Sequence, residues 1–413
     1  MKPSEMRKIR IGGLDIWMAL AGIASALLLI FAATQTQAQT FHVLHSFSGF
    51  GDGGQPTAGL TLDRAGNLYG TTEFGAISNA GTVFKLSHAG SGWVVSTLYA
   101  FRDGSDGGNP SGRVVFGPDG GLYGTTSEGG LFSNTGTVFE LRPPATVCHS
   151  VSCPWTHTVL YRFGGGGDGY APGFEDLVFD RTGNVYGTTT DGGLPGCLCG
   201  DVFQLTPSGG TWTESILYRF AGGDDGSTPY SGVIFDSAGN LYGSTFEGGA
   251  NGEGTVFELS PSGAGWTETT LTDFSGGSGF PLGGLTFDAQ GNLFGTGFFF
   301  GGTVFELQPS GGSWSFSQIA VFDGNEGPSG ALTFDNAGNI YGSNASGGPS
   351  DDGFVFKLTP SPNGWTVTHL HDFNGDDGYS PMGNVVIDGS GNLYGTTLGG
   401  GTNGQGVAWE ITP

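Results

Sequence analysis

The chain has 413 residues, 83 of them glycine, with 12% charged and 13% aromatic residues. That aromatic content excludes a disordered linker, and the lack of a strict Gly-x-y period excludes collagen. Glycine costs about 1 kcal/mol at each interior helix position, so a helical protein is excluded as well, leaving an all-β chain rich in tight turns. A formal net charge of −24 argues against nucleic acid and anionic lipid, leaving cations, basic partners and neutral sugars.

The N-terminus stands apart. Lys2, Arg7, Lys8 and Arg10 precede an apolar run from Ile16 to Ala33, and Thr36-Gln37-Ala38 offers small residues before Gln39. This predicts a secretory signal peptide over 1–38 and a mature domain over 39–413, with an uncleaved anchor as the alternative. No later segment reads as a membrane span, and no C-terminal anchor is expected. The chain reads as exported, secreted or periplasmic, and monomeric.

Next comes a strand-like run, Phe41 to Phe47, and then a repeat. Leu68-Tyr69-Gly70 returns as Leu122-Tyr123-Gly124, Val185-Tyr186-Gly187, Leu241-Tyr242-Gly243, Leu293-Phe294-Gly295, Ile340-Tyr341-Gly342 and Leu393-Tyr394-Gly395. These seven copies lie 47 to 63 residues apart. In the fourth, four apolar runs cover 232–236, 240–244, 255–259 and 266–274, separated by Gly, Asn, Asp and Ser. Each copy therefore reads as a four-stranded antiparallel meander. Between the first two strands, Asp236-Ser237-Ala238-Gly239-Asn240 recurs in six copies as a turn capped by its Asp. The second copy has Gly117 in place of that Asp.

Seven such units predict a seven-bladed β-propeller, with a β-solenoid as runner-up. The last copy stops after its third strand, Val407 to Ile411, while Phe41 to Phe47 aligns with fourth strands. The N-terminal strand is thus expected to complete the seventh blade and remove two open edges.

The GTVFEL runs at 136–141, 254–259 and 302–307, together with the LYGTT runs, resemble the GloVer tandem repeat over nearly all of the mature chain. The resemblance implies a bacterial, exported protein and brings no catalytic residues with it. The Asp-x-x-Gly-Asn-Leu-Tyr run is also similar, more weakly, to repeats of lactonase-like propellers.

Propeller topology puts the strand 2–3 loops and blade-to-blade connections on one face, which is long-looped and acidic, with Glu73, Glu128, Asp191 and Glu247. The residue before the leading apolar residue of each first strand should lie near the mouth of the central channel. It is Gly59, Gly232, Gly284 and Ala331 in four copies but Arg113, Asp176 and Asn384 in three, and an insertion sets Glu175 beside Asp176. These four polar residues form the candidate ligand site, with a partly exposed salt bridge as the plainer reading. The Asp-Gly connections 223–226 and 375–378 read as plain turns, with structural calcium as the alternative; no other cofactor and no metal is expected. His42, His45, His369 and His371 sit on diverging outer strands. Of the four cysteines, Cys148–Cys153 is the expected disulfide, while Cys197 and Cys199 read as a tight labile bridge or two thiols. The function expected is binding or scaffolding, for a protein or carbohydrate. A propeller enzyme, lactonase-like hydrolase or polysaccharide lyase, with its site at the channel mouth is the alternative.

Overall fold

The computed structural model describes residues 39–413 except 91, 133, 145–154, 173, 175, 264, 300–301 and 323–326. The expected leader, the Cys148–Cys153 pair and Glu175 therefore lie outside the described residues. Strands of the described chain form seven antiparallel four-stranded sheets, each with its strands in chain order except the last. In that one the N-terminal strand Thr40–Ser46 lies beside Val407–Thr412, followed by Leu393–Thr397 and Val386–Ile387. This is the seven-bladed propeller, closed by the N-terminal strand as expected. Among the described residues there is no α-helix, only short 3-10 turns, and no helix long and apolar enough to cross a membrane.

Blade 4 shows how the repeat builds a sheet. Its strands are Ile234–Phe235, Leu241–Thr245, Thr255–Ser262 and Gly265–Asp273. The inner strand is shorter than expected because Asp236 already begins the turn. Asp236 accepts from the N–H groups of Ala238 and Asn240 at 2.8 Å and from the Asn240 side chain at 2.8 Å. Asp63, Asp180, Asp288, Asp335 and Asp388 cap their turns in the same way. In blade 2, Asp119 takes over, receiving the Gly121 N–H and the Tyr123 hydroxyl. The outer strand also departs from simple alternation. Val256 pairs with Thr272 and Phe257 with Thr270, so Leu271 is an extra residue, a β-bulge. The same shift recurs in blades 1 to 6. It bends the outer strand and turns Leu98 and Leu160 into the core, where each is 9% exposed.

The two repeated motifs meet across one register. Gly243 faces Phe257, and a Cβ on Gly243 would lie 2.5 Å from the ring. The glycine of each Leu-Tyr-Gly is thus the space its partner aromatic needs. That aromatic then receives the closing Phe of the preceding blade: Phe101 on Phe139, Phe163 on Phe203, Phe220 on Phe257 and Phe274 on Phe305, with ring centroids 5.1–5.3 Å apart. Phe47 does the same on Phe84 at 4.9 Å, so the N-terminal strand joins blade 7 to blade 1 through the core and not only through its ladder.

A second contact is shared by all seven interfaces. The glycine before each third strand, Gly81, Gly136, Gly200, Gly254, Gly302, Gly353 or Gly406, has φ between 80° and 90°. A Cβ there would lie 2.5–3.0 Å from the proline ring of the next connection.

Blade 3 carries one local conflict. Blades 1, 2 and 4 join Thr72–Thr82, Thr126–Thr137 and Thr245–Thr255 by hydroxyl hydrogen bonds of 2.8–2.9 Å. Blade 3 has Asp201 in the place of the second threonine, fully buried, with both carboxylate oxygens lacking a hydrogen-bond partner and Arg219 Nε no nearer than 3.8 Å. Burial, with Asp168 nearby and against the pull of Arg219, pushes its pKa up to about 7.

Three outcomes are expected. Phe47→Ala, which empties a fully buried site between blades 7 and 1, lowers unfolding free energy in denaturant titration by about 3–5 kcal/mol. Gly254→Ala is far more damaging than Gly239→Ala. Both glycines have positive φ, but Gly239 has open space around it, so its alanine costs only the left-handed backbone term of about 1–2 kcal/mol. Asp201 has a raised native pKa, so its contribution is present below the unfolded value of 3.8 and is lost as pH rises through about 7. Melting temperatures of wild type should therefore fall over that window relative to Asp201→Thr, whose profile should be flatter and higher at pH 8.

Candidate functional site

Backbone geometry explains which side chains reach the channel mouth. In six of the seven connections the residue before the proline is Gln55, Asn109, Ala171, Thr228, Phe280 or Ser380, and each has φ between 49° and 59°; blade 6 has Gly327 there. Such non-glycine residues cost of order 1–3 kcal/mol apiece. Each makes two bonds in return. Its N–H donates to the previous blade, as Thr228 to the Cys199 carbonyl at 2.8 Å. Its carbonyl accepts from the residue after its own second strand, as from the Phe246 N–H at 3.0 Å. The Gln55, Phe280 and Ser380 carbonyls likewise accept from Glu73, Phe298 and Leu398. Connections and 2–3 loops therefore share one face, and Glu73, Phe246, Phe298 and Leu398 line a cavity of about 870 Å³ at the channel.

Arg113, Asp176 and Asn384 line the same cavity. Arg113 Nε donates to Asp176 Oδ1 and Oδ2 at 3.1 and 3.0 Å, and Nη2 donates to Oδ2 at 2.5 Å. These side chains are 25% and 33% exposed, so the pair sits at the mouth wall and is not sealed in the core. Blades 2 and 3 are adjacent, and the two residues meet as the spacing implied. Asn384 lies apart from them at the seam of blades 7 and 1, where its amide occupies the place a Cβ on Gly59 would need. Glu73 faces the cavity with no hydrogen bond to its carboxylate among the described residues. Burial, with Glu128 nearby, raises its pKa.

An aromatic arc completes the mouth and was not anticipated from the repeat. Phe174 contacts Tyr230 at 5.5 Å between ring centroids, Tyr230 contacts Phe246 at 5.2 Å, and Phe246 contacts Phe280 and Phe299 at 5.5 and 5.7 Å. Phe298 joins Phe299 at 5.3 Å. The arc runs over blades 3, 4 and 5 only. For Tyr230 and Phe280 a signal was present in the positions flanking the prolines, and for Phe246 and Phe298 in the residue after the second strand, where blades 1, 2, 3, 6 and 7 have Glu73, Ser127, Thr190, Ala345 and Leu398; Phe174 and Phe299 fall outside both positions. Tyr230 also lies near Asp191 and Glu247, which with its burial raise its hydroxyl pKa.

The remaining candidates have local partners. Asp52, Asp106, Asp168, Asp225 and Asp377 of the connections are hydrogen-bonded to His45, Tyr99, Tyr161, Tyr218 and His371 of the preceding outer strands at 2.5–3.2 Å. Asp225 also accepts from the Ala221 N–H, and Asp377 from the Asn374 N–H. The acids thus shape their own turns. His45 and His371 stand where other blades have tyrosine. Among the described residues no three His, Cys, Asp or Glu side chains converge as a metal-binding set. Cys197 and Cys199 form a disulfide, with Cα atoms 5.2 Å apart, in the 2–3 loop of blade 3.

Solved structures with this architecture include the extracellular domain assigned to a hybrid two-component system of B. thetaiotaomicron. It is 12% identical with a TM-score of 0.53, covering 91% of this chain and 41% of that one. PorZ, a bacterial surface component of the type-IX secretion system of Porphyromonas gingivalis, is 13% identical with a TM-score of 0.53, covering 89% and 48%. The chain thus spans less than half the length of these two. A gluconolactonase from Xanthomonas campestris, 15% identical over 80% of this chain and 94% of its own, reaches a TM-score of only 0.43. At these identities the likeness is one of fold. No curated protein matches the sequence. The sequence does match the Gloeobacter/Verrucomicrobia repeat in three tandem stretches, 22–155, 150–299 and 296–413, and the chain belongs to that family.

Proposed function

We propose that the protein is an exported binding propeller whose ligand site is the channel mouth on the loop-rich face. One observation carries the reading. Seven blades share turn, core and interface contacts closely, yet their mouth positions diverge, with an ion pair from blades 2 and 3, Asn384 from blade 7, and aromatic rings from blades 3 to 5. Ring closure asks for no such asymmetry, because blades with glycine or alanine at the same place close equally well. A ligand, which has no sevenfold symmetry, does ask for it. Arg113 and Asp176 are the polar centre, and Glu175 belongs with them by its place in the chain. Export is supported by the basic and apolar N-terminal segment, and a monomer by the pairing of the N-terminal strand with the last blade within one chain.

The test is Arg113→Lys. Lysine keeps the charge but cannot repeat the forked contact with Asp176. The pair is partly exposed, so unfolding free energy should change by less than about 1 kcal/mol. Screened against peptide and glycan arrays, wild type should hold ligands that the variant binds about tenfold more weakly, about 1.4 kcal/mol. Identical array profiles for the two proteins would remove the mouth from consideration.

A further inference from the structure

Exposed apolar side chains are distributed unevenly. Among the described residues thirteen large hydrophobic side chains stand in solvent, and four of them, Val43, Val94, Val321 and Val367, lie on outer strands around the circumference. The other nine lie in 2–3 loops or connections, all on the face that carries the channel mouth. They include Phe50 at 77% exposure, Ile77 at 100%, Phe132 at 68% and Phe174 at 51%. The opposite face, built from the 1–2 turns and 3–4 loops, contributes none of them among the described residues. Single exposed hydrophobics need no explanation, but their concentration on one face marks an interaction surface.

Charge on that face is equally one-sided. Its loops and connections hold Glu73, Glu128, Asp191, Glu247 and many further acids, against Arg102 and Arg113, with Arg162 and Arg219 reaching in from the ends of outer strands to the Ser105 and Gly167 carbonyls. Arg113 is already neutralised by Asp176. Glu73, inside the cavity, has no basic partner among the described residues. The arc also continues beyond the cavity. Phe174, Phe246 and Phe298 line it, while Phe280 and Phe299 carry the apolar strip outward across blades 4 and 5. A ligand buried only in the channel would leave that outer strip unused.

We infer that this face docks a basic polypeptide segment bearing apolar residues, with an arginine or lysine side chain entering the mouth toward Glu73. The inference rests on the binding reading and narrows its ligand class. The aromatic arc takes the segment's apolar residues and attracts its cations through the ring faces. The acids around it supply attraction to a positive chain and repel acidic ones, so the association is salt-sensitive. A neutral glycan would use the rings but have no use for the carboxylates.

The test uses three fluorescent probes: a nine-residue peptide of alternating arginine and leucine, its glutamate–leucine counterpart, and cellohexaose. Anisotropy titration should show the arginine peptide binding, the glutamate peptide at least tenfold weaker, and the arginine affinity falling about tenfold between 50 and 500 mM salt. Glu73→Gln and the double variant Phe174→Ser/Phe299→Ser should each weaken it about tenfold. The double variant Val94→Thr/Val367→Thr, on outer strands, should leave it unchanged. Every replaced side chain except Glu73 is exposed, so melting temperatures should hold for those variants and separate lost binding from lost folding. Equal binding of both peptides, or arginine binding indifferent to all the face variants, overturns the inference. Cellohexaose binding that depends on Phe174 and Phe299, with no arginine binding, also overturns it while leaving the mouth as a ligand site. Only the Arg113→Lys comparison can remove that broader reading.

Discussion

At every interface of the ring, a glycine backbone presses against a proline ring. The glycine before each third strand sits at positive φ, with the next blade's proline where its side chain would be. This contact brings neighbouring blades together at the loop-rich face. At six of the seven interfaces the residue just before the proline lies in the left-handed region, and its two hydrogen bonds fix the loop of one blade to that of the next. Gly406 meets Pro56 in the same way, so the last interface repeats the other six. A uniform contact repeated seven times lets a ring close without one strained seam.

That uniformity leaves the mouth free to vary. The glycine–proline contact and the closing-Phe contact hold the blades from outside the channel. Residues between each proline and its inner strand differ from blade to blade, although the glycines among them are closely packed: a Cβ on Gly232 would lie 2.2 Å from the Asp176 carbonyl oxygen. They can be glycine, as at Gly59 and Gly232, or an arginine held by an aspartate, as at Arg113 and Asp176. The strained connection residues also aim the first residue of each 2–3 loop inward. This is why an acid at Glu73 and rings at Phe246 and Phe298 all face the cavity. The scaffold fixes where these side chains stand while their chemistry differs between blades, as expected for a platform with its function in loops.

The acids divide into two kinds by what surrounds them. Those of the 1–2 turns receive several N–H donors, and for Asp63, Asp180 and Asp335 these outweigh the effect of burial and lower the carboxyl pKa. Asp201 has burial without donors and goes the other way. The first kind supports the turns and is common to the blades. Glu73 of blade 1 is raised by burial as well, but the fully buried case is Asp201 in blade 3, whose 2–3 loop also carries Cys197 and Cys199. The structure offers no account of why that blade departs.

The amino-acid sequence by itself determined blade number, strand order, turn chemistry and closure. The repeat unit is set within about fifty residues: Asp236 and Asn240 bond across four positions, and Gly243 faces Phe257 across one hairpin; closure follows because the last copy lacks the fourth strand that the N-terminal run supplies. Local physics repeated seven times is legible in one dimension. The adjacency of Arg113 and Asp176 was legible for a related reason, since consecutive blades must touch. What only the tertiary structure decided was the bulge at Leu271 and its equivalents, which breaks alternation without a sequence mark, and the aromatic arc. Phe174, Tyr230, Phe246, Phe280 and Phe299 come from different repeat positions in three blades, and no periodicity connects them. They meet because ring closure turns the connections and 2–3 loops toward one axis, where side chains far apart in the chain converge.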